Sequence, residues 1–185
     1  MKKMFPRLTL VVRVVVPAVL AIFVLGLSSA NAQLKPLSAY MLPAGGQRGT
    51  TVKVDVYGRY LVGATGAHVS GGGATAKVVS AEQPGKNAKL PQRLDAAKYS
   101  DLAHVEVTLA PDAKPGERDL RVVTPGGVSN RLRFYVGQVP EVNEVEPNST
   151  KETAQVLESI PVVVNGQIFQ ADRDFFAAGT ISCTG

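Results

Sequence analysis

Five side chains with hard oxygen donors recur at a spacing that suits calcium binding. Glu144, Glu146 and Asn148 lie two residues apart in the run EVEPNST, so in an extended segment they point to one side. Asp172 and Asp174 repeat that spacing in a second predicted strand. Because calcium takes about six to eight oxygen ligands, two such segments brought together would hold one ion. The competing interpretation is a solvated acidic linker in which Asn148 caps a turn.

The histidines and serines do not identify a catalytic site from the sequence. His104 precedes an alternating run and His68 flanks a glycine-rich one, and neither has a second ligand at metal spacing. Serine, histidine and aspartate are all present, but no motif fixes a triad and no Gly-x-Ser-x-Gly turn occurs. We therefore predict that these residues form no catalytic site and that the chain is not an enzyme. A longer protein that contains the chain could still be associated with a peptidase.

The first 32 residues predict an export signal rather than a part of the fold. A basic start precedes an apolar run over residues 14–27, and the small residues Ala30 and Ala32 follow it. The run is shorter than the roughly 20 residues that a membrane-spanning helix needs. We expect cleavage before Gln33 and no stable membrane span afterwards. The product would be secreted to a periplasmic, cell-surface or extracellular location.

The charge balance gives no reason to expect a nucleic-acid partner. The chain has 20 basic and 15 acidic residues, but four of the basic ones lie in the predicted signal, which leaves 16 against 15. No cluster of Lys and Arg is interleaved with aromatic residues. Cys183 is the single cysteine, so no intramolecular disulfide can form. The mature fold must depend on an apolar core, a bound ion or neighbouring domains.

The pattern after the signal predicts an all-β fold. Short runs rich in Val, Thr, Tyr and Ile alternate with period two, and Gly or Pro separates them. We interpret residues 45–49 as a turn, 124–127 as a hairpin turn, and 81–101 as a loop excursion with a short surface helix over 92–102. About seven strands in this length favour a small β-sandwich. The candidate strands are residues 38–42, 51–57, 67–69, 75–79, 105–108, 119–122 and 131–136.

The stretch over residues 43–137 resembles immunoglobulin-like modules of the IPT/TIG kind. The opening PAGGQRGTTVKVDVYGRYL and the close PDAKPGERDLRVVTPGGVSNRLRFYVG carry the resemblance. In such modules the last hairpin has a T-P-x-G tip, and its second strand reads S-N-x-x-x-F. The resemblance implies an Ig-like β-sandwich over residues 33–138, followed by a linker over 139–143.

Residues 144–185 look like the first part of a bacterial pre-peptidase C-terminal domain. The pieces EVEPNST and PVVVNGQIFQADRDFF carry this resemblance. Some members of that family bind calcium with acids in these two places, which implies calcium as the cofactor. Ser149 departs from the pattern, because such members carry Asn or Asp there. The family's domain is a longer β-sandwich, so we expect this second domain to be incomplete and the chain to be a fragment, the product of a frameshift or a truncated product. The implied ligands are Glu144, Glu146, Asn148, Asp172 and Asp174.

Together the two resemblances imply a secreted, non-catalytic binding or spacer module of a larger extracellular or envelope protein, associated with a hydrolase. Fold does not determine function, and the association with hydrolases is an analogy. One alternative is an N-terminal part of a secreted peptidase or other hydrolase whose catalytic domain lies downstream. Another is a carbohydrate-binding or adhesion module. The partners would be extracellular proteins, polysaccharides or other domains of the same polypeptide.

Overall fold

The computed structural model describes residues 34–85, 99–167 and 172–179. All regular elements in these ranges are β-strands, which confirms the predicted all-β class. Within the same ranges, no helical segment has the length and hydropathy of a membrane span. The predicted export signal over residues 1–32 and the single cysteine, Cys183, lie outside the described residues.

The first nine strands build two sheets. They are β1 (Leu37–Leu42), β2 (Gly45–Gln47), β3 (Thr51–Arg59), β4 (Gly66–Val69), β5 (Ala74–Glu82), β6 (Asp101–Leu109), β7 (Gly116–Thr124), β8 (Gly127–Val128) and β9 (Leu132–Gly137). One sheet has the order β1-β3-β6-β5, and the other has the order β2-β9-β7-β4 with β8 paired to β7. When β2 and β8 are set aside, the strand orders correspond to the A-B-E-D and G-F-C sheets of an immunoglobulin constant-type sandwich.

The core lies between these two sheets and is built from alternate residues of their strands. Phe134 of β9 is the largest of the fully buried side chains among the described residues. The predicted alternation is confirmed, because every second residue of β3, β6, β7 and β9 points inward. Burying one Val, Leu or Phe side chain contributes about 1.5–3 kcal/mol. The cluster includes Val54, Val56, Val105, Val107, Leu120, Val122, Phe134 and Val136.

Ser129 and Asn130, which follow the hairpin turn over residues 124–127, join the two sheets. The buried hydroxyl of Ser129 donates to Asn130 O (2.8 Å) and accepts from Val122 N (3.0 Å) and Ser38 Oγ (3.0 Å). The Asn130 amide accepts from Ser38 N (2.9 Å) and donates to Ser38 O (2.8 Å). These bonds connect β1 of one sheet to the β8–β9 segment of the other. They give the S-N part of the predicted hairpin motif a structural role.

The glycine-rich run over residues 45–49 differs from the predicted turn. Its first three residues form β2, which runs parallel to β9. Gly46 packs so closely on Val52 that a Cβ at position 46 would overlap the valine side chain, which requires glycine there. The turn itself follows β2, where Gly49 has a φ of 81°. Parallel pairing with a distant strand leaves no local signal, so the sequence pattern indicated only the turn.

The predicted excursion over residues 81–101 is shorter than expected at both ends. Ala81 still belongs to β5, and Leu102, the expected end of a surface helix, belongs to β6. The predicted helix is therefore wrong at its C-terminal end. Its remaining part lies mostly in residues 86–98, outside the described ranges.

The residues after Gly137 form two further pairs of short strands. They are β10 (Glu141–Asn143), β11 (Gln155–Leu157), β12 (Val163–Asn165) and β13 (Phe176–Ala178). β10 pairs with β12 and β11 pairs with β13, both in parallel. Among the described residues, none of these strands contributes to the buried core cluster. β10 lies within the range predicted as a linker, residues 139–143. We call the described residues after Gly137 the C-terminal region.

Candidate metal centre

Two backbone hydrogen bonds bring the acidic segments of the C-terminal region together. Glu144 directly follows β10, and its N–H donates to Asn165 O of β12 (2.9 Å). The N–H of Phe175 donates to Asn148 O (2.9 Å). This second bond places Asp174 next to residues 144–148, as expected if the two acidic segments lie side by side.

Three carboxylates converge where these segments meet. One oxygen each from Glu144, Glu146 and Asp174 lies within 4.8 Å of the other two. Calcium binds oxygen at about 2.3–2.6 Å, so two ligands on one ion are at most roughly 5 Å apart. The three oxygens therefore have a spacing that a single calcium ion can bridge.

Asn148 contacts two of these carboxylates and is completely buried. Its Nδ2 donates to Glu144 Oε1 (2.9 Å), and its backbone N–H donates to Glu146 Oε2 (3.0 Å). Its Oδ1 is buried and has no hydrogen-bond partner among the described residues. A buried polar atom left without a partner costs about 1–3 kcal/mol. A cation beside this amide oxygen would supply the missing partner.

The electrostatics around Asp174 also favour a cation. Its Oδ1 is buried and lacks a hydrogen-bond partner within the described part of the chain. Loss of hydration raises the pKa of Asp174 above its ordinary value, and the negative charges of Glu144, Asp172 and Glu146 raise it further. A divalent cation beside Asp174 would relieve the same repulsion.

Gln167 belongs to the same group, although the sequence pattern did not indicate it. Its backbone N–H donates to Glu144 Oε2 (2.9 Å), and its side-chain Oε1 is buried with no partner among the described residues. At the preceding position, a Cβ on Gly166 would meet the Glu144 carboxylate at 2.5 Å, so glycine allows this close approach. The residues next to Gln167 in the sequence show no pattern of charged side chains. Only Gly166, the preceding residue, indicated that another group could lie close to the backbone here.

Asp172, the fifth predicted ligand, is not one of the converging carboxylates. Its Oδ1 accepts a hydrogen bond from Arg173 N (3.0 Å), and its charge acts on Asp174 from nearby. The predicted strand over residues 172–174 is also wrong, because β13 begins at Phe176. The rule that alternate residues point to one side therefore does not apply there.

Comparisons with known proteins leave the family of this chain open. No protein-family model and no curated protein matches the sequence. Domains 5 and 6 of the S-layer protein SbsC are similar, with a TM-score of 0.33 and 13% identity. The match covers 69% of this chain and 58% of that one, so the chain spans less than two thirds of the S-layer structure. The resemblances to IPT/TIG modules and to the pre-peptidase C-terminal domain remain predictions from their motifs.

Proposed function

We propose that this chain is an extracellular binding and spacing module whose C-terminal region is ordered by one calcium ion. Glu144, Glu146, Asn148 and Asp174 would hold the ion, with Gln167 as a further oxygen donor. The observation that carries the proposal is the fully buried Asn148 side chain. Its Nδ2 is bonded to one of the clustered carboxylates, whereas its Oδ1 lacks a partner among the described residues.

The chemistry of the donor set favours calcium over other metals. Carboxylate and amide oxygens are hard ligands, whereas zinc and copper prefer sites with imidazole or thiolate. Magnesium demands nearly ideal octahedral geometry and keeps several waters, but calcium accepts irregular sets of oxygens. Two glutamates, an aspartate and one or two amides, contributed by separate segments, suit the more tolerant ion.

An ion at this place would connect the separate segments of the C-terminal region. Glu144 is already bonded to β12 and to Gln167, while Asn148 is bonded to the segment that leads into β13. The sandwich would supply a rigid spacer, because its core is complete without the C-terminal strands. The predicted export signal supports an extracellular location, where modules bind calcium at about 10⁻⁴–10⁻³ M. The pre-peptidase C-terminal resemblance supports a position beside a secreted hydrolase.

Thermal unfolding with calcium and with chelator tests the proposal. Calcium at about 100 times its Kd should stabilise the bound region by about 2.7 kcal/mol, and chelator should reverse this. Asp174→Ala should abolish the response. Glu152→Ala removes an exposed acid of the same region that lies outside the cluster, and this variant should respond like the parent chain. A parent chain that is insensitive to chelator, or an Asp174→Ala variant that still responds, would refute the site.

The raised pKa of Asp174 predicts a pH dependence with a definite sign. In the calcium-free chain, the stability that this group contributes is fully present below its ordinary pKa of 3.8 and is lost as pH rises through the raised folded value. Calcium should remove that loss, because it pairs with the ionised carboxylate. Exchange of the Phe175 amide, corrected for intrinsic rates, measures the effect locally. Asp174→Asn should flatten the profile, whereas a flat profile in the calcium-free parent would contradict this electrostatic account.

A further inference from the structure

The outer face of the four-stranded sheet carries an aspartate, a histidine and a serine in one row across three strands. Asp55 of β3 lies opposite His104 of β6, and Ser80 of β5 lies opposite the same histidine on its other side. All three residues line one groove of about 480 Å³. Directly opposed residues have Cβ atoms about 4.5–5.5 Å apart, which allows neighbouring side chains of a row to interact.

A β-bulge puts the serine on the same face as the other two residues. The register between β5 and β6 shifts between Val78 and Ser80. Val78 packs against the core, so simple alternation would point Ser80 inward as well. Val79 is the extra residue, and it is 59% exposed. The bulge thereby turns Ser80 outward beside His104, and bulges of this kind often re-aim side chains at functional sites.

The aspartate and the histidine already form the pair that a general base requires. His104 Nδ1 lies 2.6 Å from Asp55 Oδ1. When Nδ1–H donates to the carboxylate, the lone pair is on Nε2, at the far edge of the ring from Asp55. The two side chains are only 38% and 41% exposed, so the pair is partly shielded from water.

A lysine of the next row supplies positive charge to the same groove. Lys53 and Lys77 lie on either side of Glu106 in the register of the sheet. The Glu106 carboxylate forms its ion pair with Lys77 at 2.8 Å. Lys53 lines the groove together with Ser80, His104 and Asp55. Glu106 lines the same groove and interacts electrostatically with Lys53, so only part of the lysine's positive charge would act on an oxyanion that develops there.

We propose that Ser80, His104 and Asp55 form an acyl-transfer site for small esters, a role beyond calcium-ordered binding and independent of it. This departs from the expectation, drawn from the sequence, that the serines and histidines form no catalytic site. Ser80 Oγ attacks the ester carbonyl carbon while His104 Nε2 takes the hydroxyl proton. The tetrahedral intermediate collapses, the bond to the alcohol oxygen breaks, and the imidazolium returns the proton to the departing alcohol. Water, deprotonated by the same imidazole, then attacks the acyl carbon. The bond between that carbon and Ser80 Oγ breaks, the acid leaves, and the imidazolium returns its proton to Oγ. Asp55 is a positioning residue, because it contacts the imidazole and not the ester.

Covalent labelling of the whole chain with a fluorophosphonate tests this site, together with the hydrolysis of p-nitrophenyl acetate. Peptide mass spectrometry should locate the label on Ser80, and Ser80→Ala should remove it. His104→Gln should slow labelling and ester hydrolysis by about 100-fold or more, the size of a lost general base. His68→Gln is the matched control, because that histidine lies on β4 of the other sheet, and it should behave like the parent.

The positioning role of Asp55 has a separate readout. Asp55→Asn should slow labelling and change its pH profile, because the amide no longer holds the imidazole in the tautomer with a free Nε2. Asp55→Glu should restore part of the rate. Since Ser80 is exposed, Ser80→Ala should keep the parent's circular dichroism spectrum and melting temperature. No label on Ser80 of the folded parent overturns the proposal, and so does labelling that is unchanged by His104→Gln.

Discussion

The sandwich of β1–β9 and the C-terminal region of β10–β13 are both made of strands, but they are stabilised in different ways. In the sandwich, Phe134 and Val122 are at most 1% exposed. In the C-terminal region, Val156 is 65% exposed and Phe176 is 39% exposed. Both regions have β-forming sequences, so the difference lies in what covers them. A strand pair buries an apolar face only when a second layer packs on it.

Polar contacts take the place of a core in the C-terminal region. The Gln155 side chain accepts from Val145 N (2.8 Å) and donates to Asn143 O (3.0 Å), which ties β11 to the segment after β10. Asn165 donates to Glu141 (2.8 Å) and accepts from Ala44 N of the sandwich (3.2 Å). A hydrogen bond contributes only about 0.5–1.5 kcal/mol net. The C-terminal region should therefore be the less stable part and the one that responds to an ion.

The largest effect should come from truncating Phe134, the largest fully buried side chain among the described residues. Phe134→Ala should lower the free energy of unfolding by about 3–5 kcal/mol, because it leaves a cavity between the sheets. The neighbouring Tyr135 points outward and is 58% exposed, so Tyr135→Ala should cost no more than about 1 kcal/mol. Urea unfolding measures both variants. Similar costs at the two positions would mean that the sandwich is not organised around a core between its sheets.

A smaller effect should follow from removing the hydroxyl of Ser129, whose buried hydrogen bonds join the two sheets. Ser129→Ala removes a hydroxyl with three partners and leaves Val122 N without its buried acceptor, which should cost about 1–3 kcal/mol. Ser149 of the C-terminal region is exposed, so Ser149→Ala should change stability by less than about 0.5 kcal/mol. Equal melting temperatures for the two variants would show that the hydrogen bonds of Ser129 do not stabilise the contact between the two sheets.

Much of the sandwich was predictable, because burial from one side produces period two in the sequence. The alternation of Val52, Val54 and Val56 indicated β3 and the face that it buries. β2 was missed, since its pairing with β9 depends on residues far along the chain. The bulge at Val79 was missed for another reason. One inserted residue reverses the faces of β5 without changing its composition, so the row that contains Ser80 had no sequence signal.

The candidate metal centre was predictable only in part. The spacing of Glu144 and Glu146 indicated a shared direction, and the structure does bring their carboxylates together with that of Asp174. Asp172 did not follow, because its segment is not a strand and alternate residues there need not share a face. Gln167 reaches the group through its backbone bond to Glu144. Such a contact depends on how β12 is placed and not on any pattern around the glutamine.

The smallest effect should come from replacing an exposed valine of the C-terminal region. The same substitution at a buried valine of the sandwich provides the comparison. Val156→Ala should change the free energy of unfolding, measured with urea, by less than about 0.5 kcal/mol, because the side chain is 65% exposed. Val122→Ala, at a position that is 1% exposed, should cost about 2 kcal/mol. Amide exchange in β11 and β7 reports the two regions separately. An equal loss at Val156 would mean that a partner covers this valine in solution, and the C-terminal region would then also depend on apolar burial.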